Sequence, residues 1–311
     1  FSKMTSGQVC ILAIAYSVCI GLRFQVGGDW DTYLDNLKNL DGTSFVEAVI
    51  DPRGDPAYNM LSWVSNVIGA GIYGVNFICA LVFSVGLLLF CNLQPRPWLA
   101  MVMFTPYLII VVAMGYTRQS AAIGLALMAF LCLERKNLAG FVLAIFLATL
   151  FHKTALVLLL AAIPIVQDIK SPLSKLAVIL LIILSAIGLA YTFLVPRLDY
   201  LVFGYEQQAM QSQGAGIRVA MVILPALILI FFQNKFDIKG IQKYLWLGLS
   251  YLSIGCLASL FLLKSSTIVD RLALYCIPLQ GFVAARIADA RILKISPKNF
   301  TKLIILIAVI I

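Results

Sequence analysis

A lone histidine, His152 in Phe151-His152-Lys153-Thr154, and an arginine, Arg118 in Tyr116-Thr117-Arg118-Gln119, bracket two apolar runs separated by Glu134-Arg135-Lys136-Asn137. Each run is about 14 residues, short of the roughly 20 that an α-helix needs to cross a bilayer. The pair reads as a helical hairpin whose turn lies at one membrane face while Arg118 and His152 return together at the other. Ionisable groups at membrane depth are costly and by default mark function. An imidazole titrates near neutral pH and suits a general base, whereas a guanidinium fork grips phosphate oxygens in pairs. Snorkelling at helix ends is the competing reading, and it fits Arg135 and Lys136 well.

Elements able to hold such residues must be membrane helices. Apolar residues make up 62% of the 311, charged residues only 12%, a balance no soluble domain can bury. The chain carries no Gly-rich phosphate loop and no RNA-binding signature, so its excess of Lys and Arg is a matter of topology before nucleic acid. All seven cysteines fall in apolar runs without a Cys-x-x-Cys pair, and read as small membrane-core residues. Residues 1–311 read as a single integral membrane domain, all-α and polytopic. Both ends look cut, since the chain starts at Phe1 and stops inside an apolar run, and further spans are expected beyond them.

A first span covers 8–22. A long polar loop (23–58) follows, then a mixed segment (59–72). Further spans are expected at 74–93, 98–115, 120–133, 138–151, 154–167, 176–195, 218–233, 244–263 and 271–288, with a last run from Leu303, about 11 transmembrane helices in all. Taking alternate loops, one set holds 14 of the 23 basic residues against four acids; it includes Lys3, Arg96, Arg135, Lys136 and Arg286 and is assigned to the cytoplasm. The 23–58 loop, with seven acids and three basic residues, belongs outside. One crossing at 74–93 already connects it to Arg96, so 59–72 is expected to be an outer-face helix that does not span.

With that topology the unusual residues gather on the outer side: Arg23, Asp29, Tyr33, Asp55, Tyr58, Arg118, Gln119, His152, Lys153, Arg197, Arg218, Asp270 and Arg271. Arginines mixed with a few carboxylates suit an anionic, polar ligand presented from the bilayer. Several have plainer readings. Asp55 with Pro56 could simply start a helix. Asp270 and Arg271 could be a local pair, although Tyr275 lies one turn beyond Arg271 on the same face. Asp29-Trp30-Asp31 resembles an acidic metal pair, but seven acids in one loop produce such a pair by chance, and no metal is expected. Arg197 and Lys264 read as interfacial, Trp98 and Trp246 as interface anchors.

In order along the chain stand an Arg closing the first span, Gly27-Gly28-Asp29-Trp30-Asp31-Thr32-Tyr33, Asp55-Pro56-Ala57-Tyr58, Arg118-Gln119, Phe151-His152-Lys153-Thr154-Ala155, and a late Arg271. This order resembles the EpsG family of Wzy-type polysaccharide polymerases, well from Arg23 to Ala155 and beyond that by hydropathy. Asp55 departs from the Glu more usual there. The resemblance implies a GT-C-like glycosyltransferase of the bacterial inner membrane, active at the periplasmic face. Its partners would be an undecaprenyl-pyrophosphate-linked oligosaccharide, the bilayer and a chain-length regulator, with no nucleic acid and no cofactor. Catalytic roles would fall to His152, Asp29, Arg118 and Arg271, with either His152 or Asp29 as base. Substrate would be bound by Arg23, Tyr33, Asp55, Tyr58, Gln119, Arg218 and Tyr275. A glycan ligase would use the same donor. A flippase would be expected to show internal repeats and midplane charges, and the sequence has neither.

Overall fold

The computed structural model describes residues 2–51, 54–168, 171–193, 212, 214–262, 266–292, 299, 301–302 and 305–306. Arg53, Arg197, Lys264 and most of the final apolar run lie outside these. The described residues are helical or connecting, with no strand among them.

The first apolar run forms α1 (Ser6–Gly21), opened by a capping box in which Thr5 and Gln8 satisfy each other's backbone N–H. The polar segment expected to be a loop instead folds into two short helices, α2 (Trp30–Lys38) and α3 (Phe45–Ile50), the latter also started by a capping box, between Ser44 and Glu47. The expected non-spanning helix is α4, which begins earlier than 59 and ends sooner than 72 (Pro56–Val67). Then come α5 (Gly71–Leu93), α6 (Pro97–Phe104, continued in π-helical form over Thr105–Ala113), α7 (Thr117–Glu134) and α8 (Leu138–Phe151). A 3-10 helix (Lys153–Asp168) precedes α9 (Pro172–Phe193), α10 (Ala215–Phe232) and α11 (Gly240–Leu262). Next, α12 (Ser266–Ala273) passes through one 3-10 turn into α13 (Pro278–Ile287). It starts five residues before Arg271, so Arg271 sits in the last turn of α12 and not at a helix start.

Among the described residues four helical stretches are long and apolar enough to cross a membrane: Gly71–Leu93, Ala215–Lys235, Gly240–Leu262 and Ser266–Ile287. Helices Ser6–Gly21, Pro97–Ala113 and Leu138–Phe151 are apolar but shorter. The run over Lys153–Asp168 gains length from its form. At about 2.0 Å per residue a 3-10 helix of 16 residues extends roughly 32 Å, against roughly 24 Å in α form.

Contacts between helix ends fix the direction of the chain. Lys3 Nζ donates to the carbonyls of Asn92 (2.7 Å) and Gln94 (2.9 Å), while Gly21, at the other end of α1, lies against the backbone of Phe77. Helices α1 and α5 are therefore antiparallel, and the whole segment between them starts and finishes at one end of the bundle without crossing. Arg96 pairs with Asp289, and Arg286 bonds Gln94, which gathers Lys3, Arg96 and Arg286 at the opposite end.

Between α5 and α7 the packing is backbone against backbone. A Cβ on Gly86 would fall 2.1 Å from the carbonyl oxygen of Gly124, and one on Gly124 would fall 2.5 Å from Phe83 Cα. Trp246 is buried at the far end, stacked 4.0 Å from Phe282 and donating to Glu134 Oε1 at 2.9 Å. It is a core residue, not the interface anchor its amphipathic ring suggested, because the Glu134 carboxylate satisfies the indole N–H inside the protein. The seven cysteines are free; Cys10 and Cys19 are exposed on α1, Cys132 is half-buried, and Cys79, Cys91, Cys256 and Cys276 are buried.

Candidate functional site

Helices α7 and α8 form the hairpin that their boundary charges suggest. Its turn passes through Lys136 at φ 60°, and Asn137 caps α8 by accepting from the Gly140 N–H at 2.9 Å. Arg118, in the first turn of α7, and His152, the residue that ends α8, thereby come to the same end of the bundle.

Arg118 is held from three sides. Its Nη1 donates to Asp55 Oδ2 at 3.1 Å, and its guanidinium carbon stands 5.7 Å from the ring centres of both Tyr33 and Tyr58. The two rings lie 5.5 Å apart, so they and the guanidinium make one packed group. Asp55 is at the N-cap of α4 with Pro56 behind it, yet its side chain makes no capping hydrogen bond. The plain helix-start reading of Asp55 is thus replaced by a carboxylate turned to Arg118. Burial raises the pKa of both phenols, and Tyr58 has a buried hydroxyl with no hydrogen-bond partner among the described residues.

Arg271 arrives from α12. Its Nη1 donates to Gln119 Oε1 (3.1 Å), and Gln119 Nε2 donates back to the Arg271 carbonyl (2.7 Å). The guanidinium also covers the ring of Tyr116 at 4.5 Å and reaches Asp29 Oδ2 at 3.8 Å. Asp29 and Tyr33 share one face of α2 a turn apart, whereas Asp31 points to solvent. Among the described residues no group of three or more His, Cys, Asp or Glu side chains is placed to hold a metal ion.

His152 is half-buried and has extended backbone, φ −157°. Its Nδ1 is 2.6 Å from Thr154 Oγ1, whose hydroxyl points on to Tyr275 at a long 3.5 Å. If Thr154 donates to Tyr275, it accepts from Nδ1–H, and Nε2 is left with its lone pair. Burial lowers the imidazole pKa well below the ordinary histidine value, and the cations of Arg271, Arg118 and Lys153 lower it further. Tyr275 itself is fully buried.

Arg23 lies one layer beneath and does not snorkel. It is 7% exposed, with Nη1 donating to the Ile20 carbonyl (2.8 Å) and Nη2 to Thr117 Oγ1 (2.6 Å), so it ties the end of α1 to the start of α7. Gly27, at φ 101°, lets the same loop approach Gly115, where a Cβ would come within 2.8 Å of Gly115 Cα. Arg218 has a carboxylate partner of its own. It pairs with Asp270, donating from Nη2 to Oδ2 at 2.9 Å as well as from Nε, and Ser212 joins the same carboxylate. Asp270 and Arg271 are thus not a local pair, since neighbours on a helix face different ways.

The structure brings Asp29, Tyr33, Asp55, Tyr58, Arg118, Gln119, His152, Arg271 and Tyr275 into one constellation. Sequence reasoning missed Tyr116 and Thr154 as direct supports of Arg271 and His152. Tyr116 precedes a recognised Arg-Gln pair, which was the available signal. Two cations, the carboxylates beside them and a half-buried imidazole meet at one end of an all-helical bundle of the membrane-spanning type. Over residues 8–311 the chain matches the EpsG family, and it belongs to that family. No curated protein and no solved structure matches it.

Proposed function

We propose that this protein is a membrane glycosyltransferase that polymerises undecaprenyl-pyrophosphate-linked oligosaccharide repeat units at the outer face of the bacterial inner membrane. The observation that carries the reading is the juxtaposition of two anchored arginines, Arg118 and Arg271, with an imidazole kept neutral by its surroundings. EpsG membership supports it, and the basic bias of the opposite bundle end supports the outward orientation. The architecture would be a single GT-C-like membrane domain of about 11 crossings, to which the shorter apolar helices also contribute.

In this reading the acceptor hydroxyl oxygen attacks C1 of the donor sugar. The C1–O bond to pyrophosphate breaks, and its electron pair leaves with the lipid pyrophosphate. Arg118 and Arg271 stabilise the charge that develops there, as preorganised donors that need not reorganise during the step. His152 Nε2 takes the acceptor proton, and Thr154 holds the other ring nitrogen in place. Asp29 is already engaged by Arg271, which favours His152 as base and leaves Asp29 to orient that arginine. Gln119 positions Arg271, and Arg23 positions Thr117 and hence Arg118. Arg218, with Asp270, would secure the helix that carries Arg271. No cofactor or nucleotide sugar is required.

The test is reconstitution of the purified protein with one lipid-linked repeat unit. A gel ladder of polymer is the expected product. Transfer to an unrelated acceptor without a ladder would make it a ligase, and no transfer with intact binding would end the glycosyltransferase reading.

A further inference from the structure

Beside Arg118 lies a cleft of about 420 Å³ lined by residues of α2, α3 and α4 and their connections. That size is at the lower end of the roughly 300–1,000 Å³ typical of small-ligand sites. Its wall is polar in a particular way. Asn36 on α2 and Asn39 at its C-cap, three residues on, and Asn59 and Ser62, three apart on α4, line it together with Glu47 of α3 and the guanidinium of Arg118. Residues three apart share a helix face, so amide and hydroxyl rows from two helices border one space. Amides and carboxylates offer paired donors and acceptors of the kind that neighbouring sugar hydroxyls need. Among the described lining residues Arg118 is the one cation, beside the carboxylates of Glu47 and Asp51.

We propose that this cleft binds the neutral sugar residues next to the pyrophosphate of the donor, holding a mono- or disaccharide between α2 and α4. The inference rests on the proposed transferase reading and extends it to which part of the substrate goes where. The donor is favoured over the acceptor because the cleft borders Arg118 while neither His152 nor Asp29 lines it. An acceptor hydroxyl must reach the base, whereas the donor sugar must adjoin the anion-binding arginine. Tyr58, whose ring packs near Arg118 and which also lines the cleft, sits at the junction of the two subsites.

Asn36 and Asn39 are exposed, so replacing them leaves the core untouched. The experiment compares wild type with the double variant Asn36→Leu/Asn39→Leu in nanodiscs. One measurement is the donor-concentration dependence of polymerisation; the other is binding of lipid-free repeat-unit saccharide, released by mild acid from the host's own polymer. The expected result is a rise of about 10-fold or more in KM for the lipid-linked unit with kcat nearly kept, on the scale of two lost hydrogen bonds. Saccharide binding should weaken in parallel. Undecaprenyl pyrophosphate without sugar should bind both proteins equally. If wild type polymerises and the variant matches it in KM and saccharide binding, the cleft assignment is overturned while the transferase reading stands. If wild type makes no polymer yet loses saccharide binding on mutation, the cleft is upheld as a saccharide site and the transferase reading fails.

Discussion

Gln119 and Arg271, 152 positions apart in the chain, grip each other twice, through Gln119 Nε2 to the Arg271 carbonyl and through Arg271 Nη1 to Gln119 Oε1. One amide thus fixes both the backbone and the head of the second arginine, from the residue next to the first. Replacing Gln119 with Leu should keep the fold and lower turnover by about 10-fold, the scale of two lost hydrogen bonds, with Glu less harmful because a carboxylate still accepts from Arg271. Polymerisation rates at matched protein levels test this; equal rates for Gln119→Leu and wild type would remove Gln119 from the machinery.

Arg118 is expected to need its fork and not only its charge. Arg118→Lys keeps a cation but cannot bond Asp55 and a phosphate oxygen in one plane. A loss on the order of 10–1000-fold is expected for it, and no less for Arg118→Ala. Near-normal ladders from both variants would show that the pyrophosphate is held elsewhere.

The imidazole of His152 gives a pH signature. Its pKa is lowered well below the ordinary histidine value, first by burial and then by Arg271, Arg118 and Lys153, so protonation requires more acid than for an ordinary histidine. Activity should therefore hold through the range where an ordinary histidine protonates and fall only at more acid pH. An unfolded chain binds that proton more readily, so stability should also decline as pH drops below about 6.5. His152→Gln can hydrogen-bond but cannot accept a proton, and should be nearly inactive without an acid limb. A Gln variant with substantial turnover would move the base to Asp29.

Arg218 and Asp270 form a buried pair, with side chains 11% and 2% exposed. Removing one partner strands the other, at a cost of about 3–5 kcal/mol, whereas an apolar pair of similar volume could be close to neutral. Thermal unfolding should rank Asp270→Ala well below Arg218→Met/Asp270→Leu. If the single and double variants unfold together, the pair is not a structural clamp on α12.

Cysteines introduced at Asp41, Gly214 and Ser266 should react with an impermeant maleimide from outside intact cells, and those at Asn137, Asp237 and Asn299 should not. Labelling of the Gly214 and Asn137 positions from one side would dismantle a single-faced site.

The hairpin, and the return of Arg118 and His152 to one end of it, were legible because apolar runs bounded by charge have few ways to sit in a membrane. The same held for the two-ended sorting of Lys3, Arg96 and Arg286. Helix α2 was less obvious, being short and polar, although Trp30, Tyr33, Leu34 and Leu37 do fall at helical spacing within what passed for a loop. The pairing of Asp270 was not readable, since its partner comes from another helix 52 positions away. Trp246 misled for a related reason. A Trp near a span's end suits an interface on composition, and only the tertiary approach of Glu134 turns it inward.

Gly86 and Gly124 bring α5 and α7 together main chain to main chain. Where two helices meet through their main chains, nothing as thick as a hydrocarbon chain fits between them. The α5–α7 seam is therefore closed to lipid along the middle of the bundle, directly below the Arg23–Thr117–Asn76 ties. A long-tailed ligand approaching Arg118 must leave its tail on another flank, and a larger residue at either glycine would pry open a wall while leaving every charged group in the site untouched.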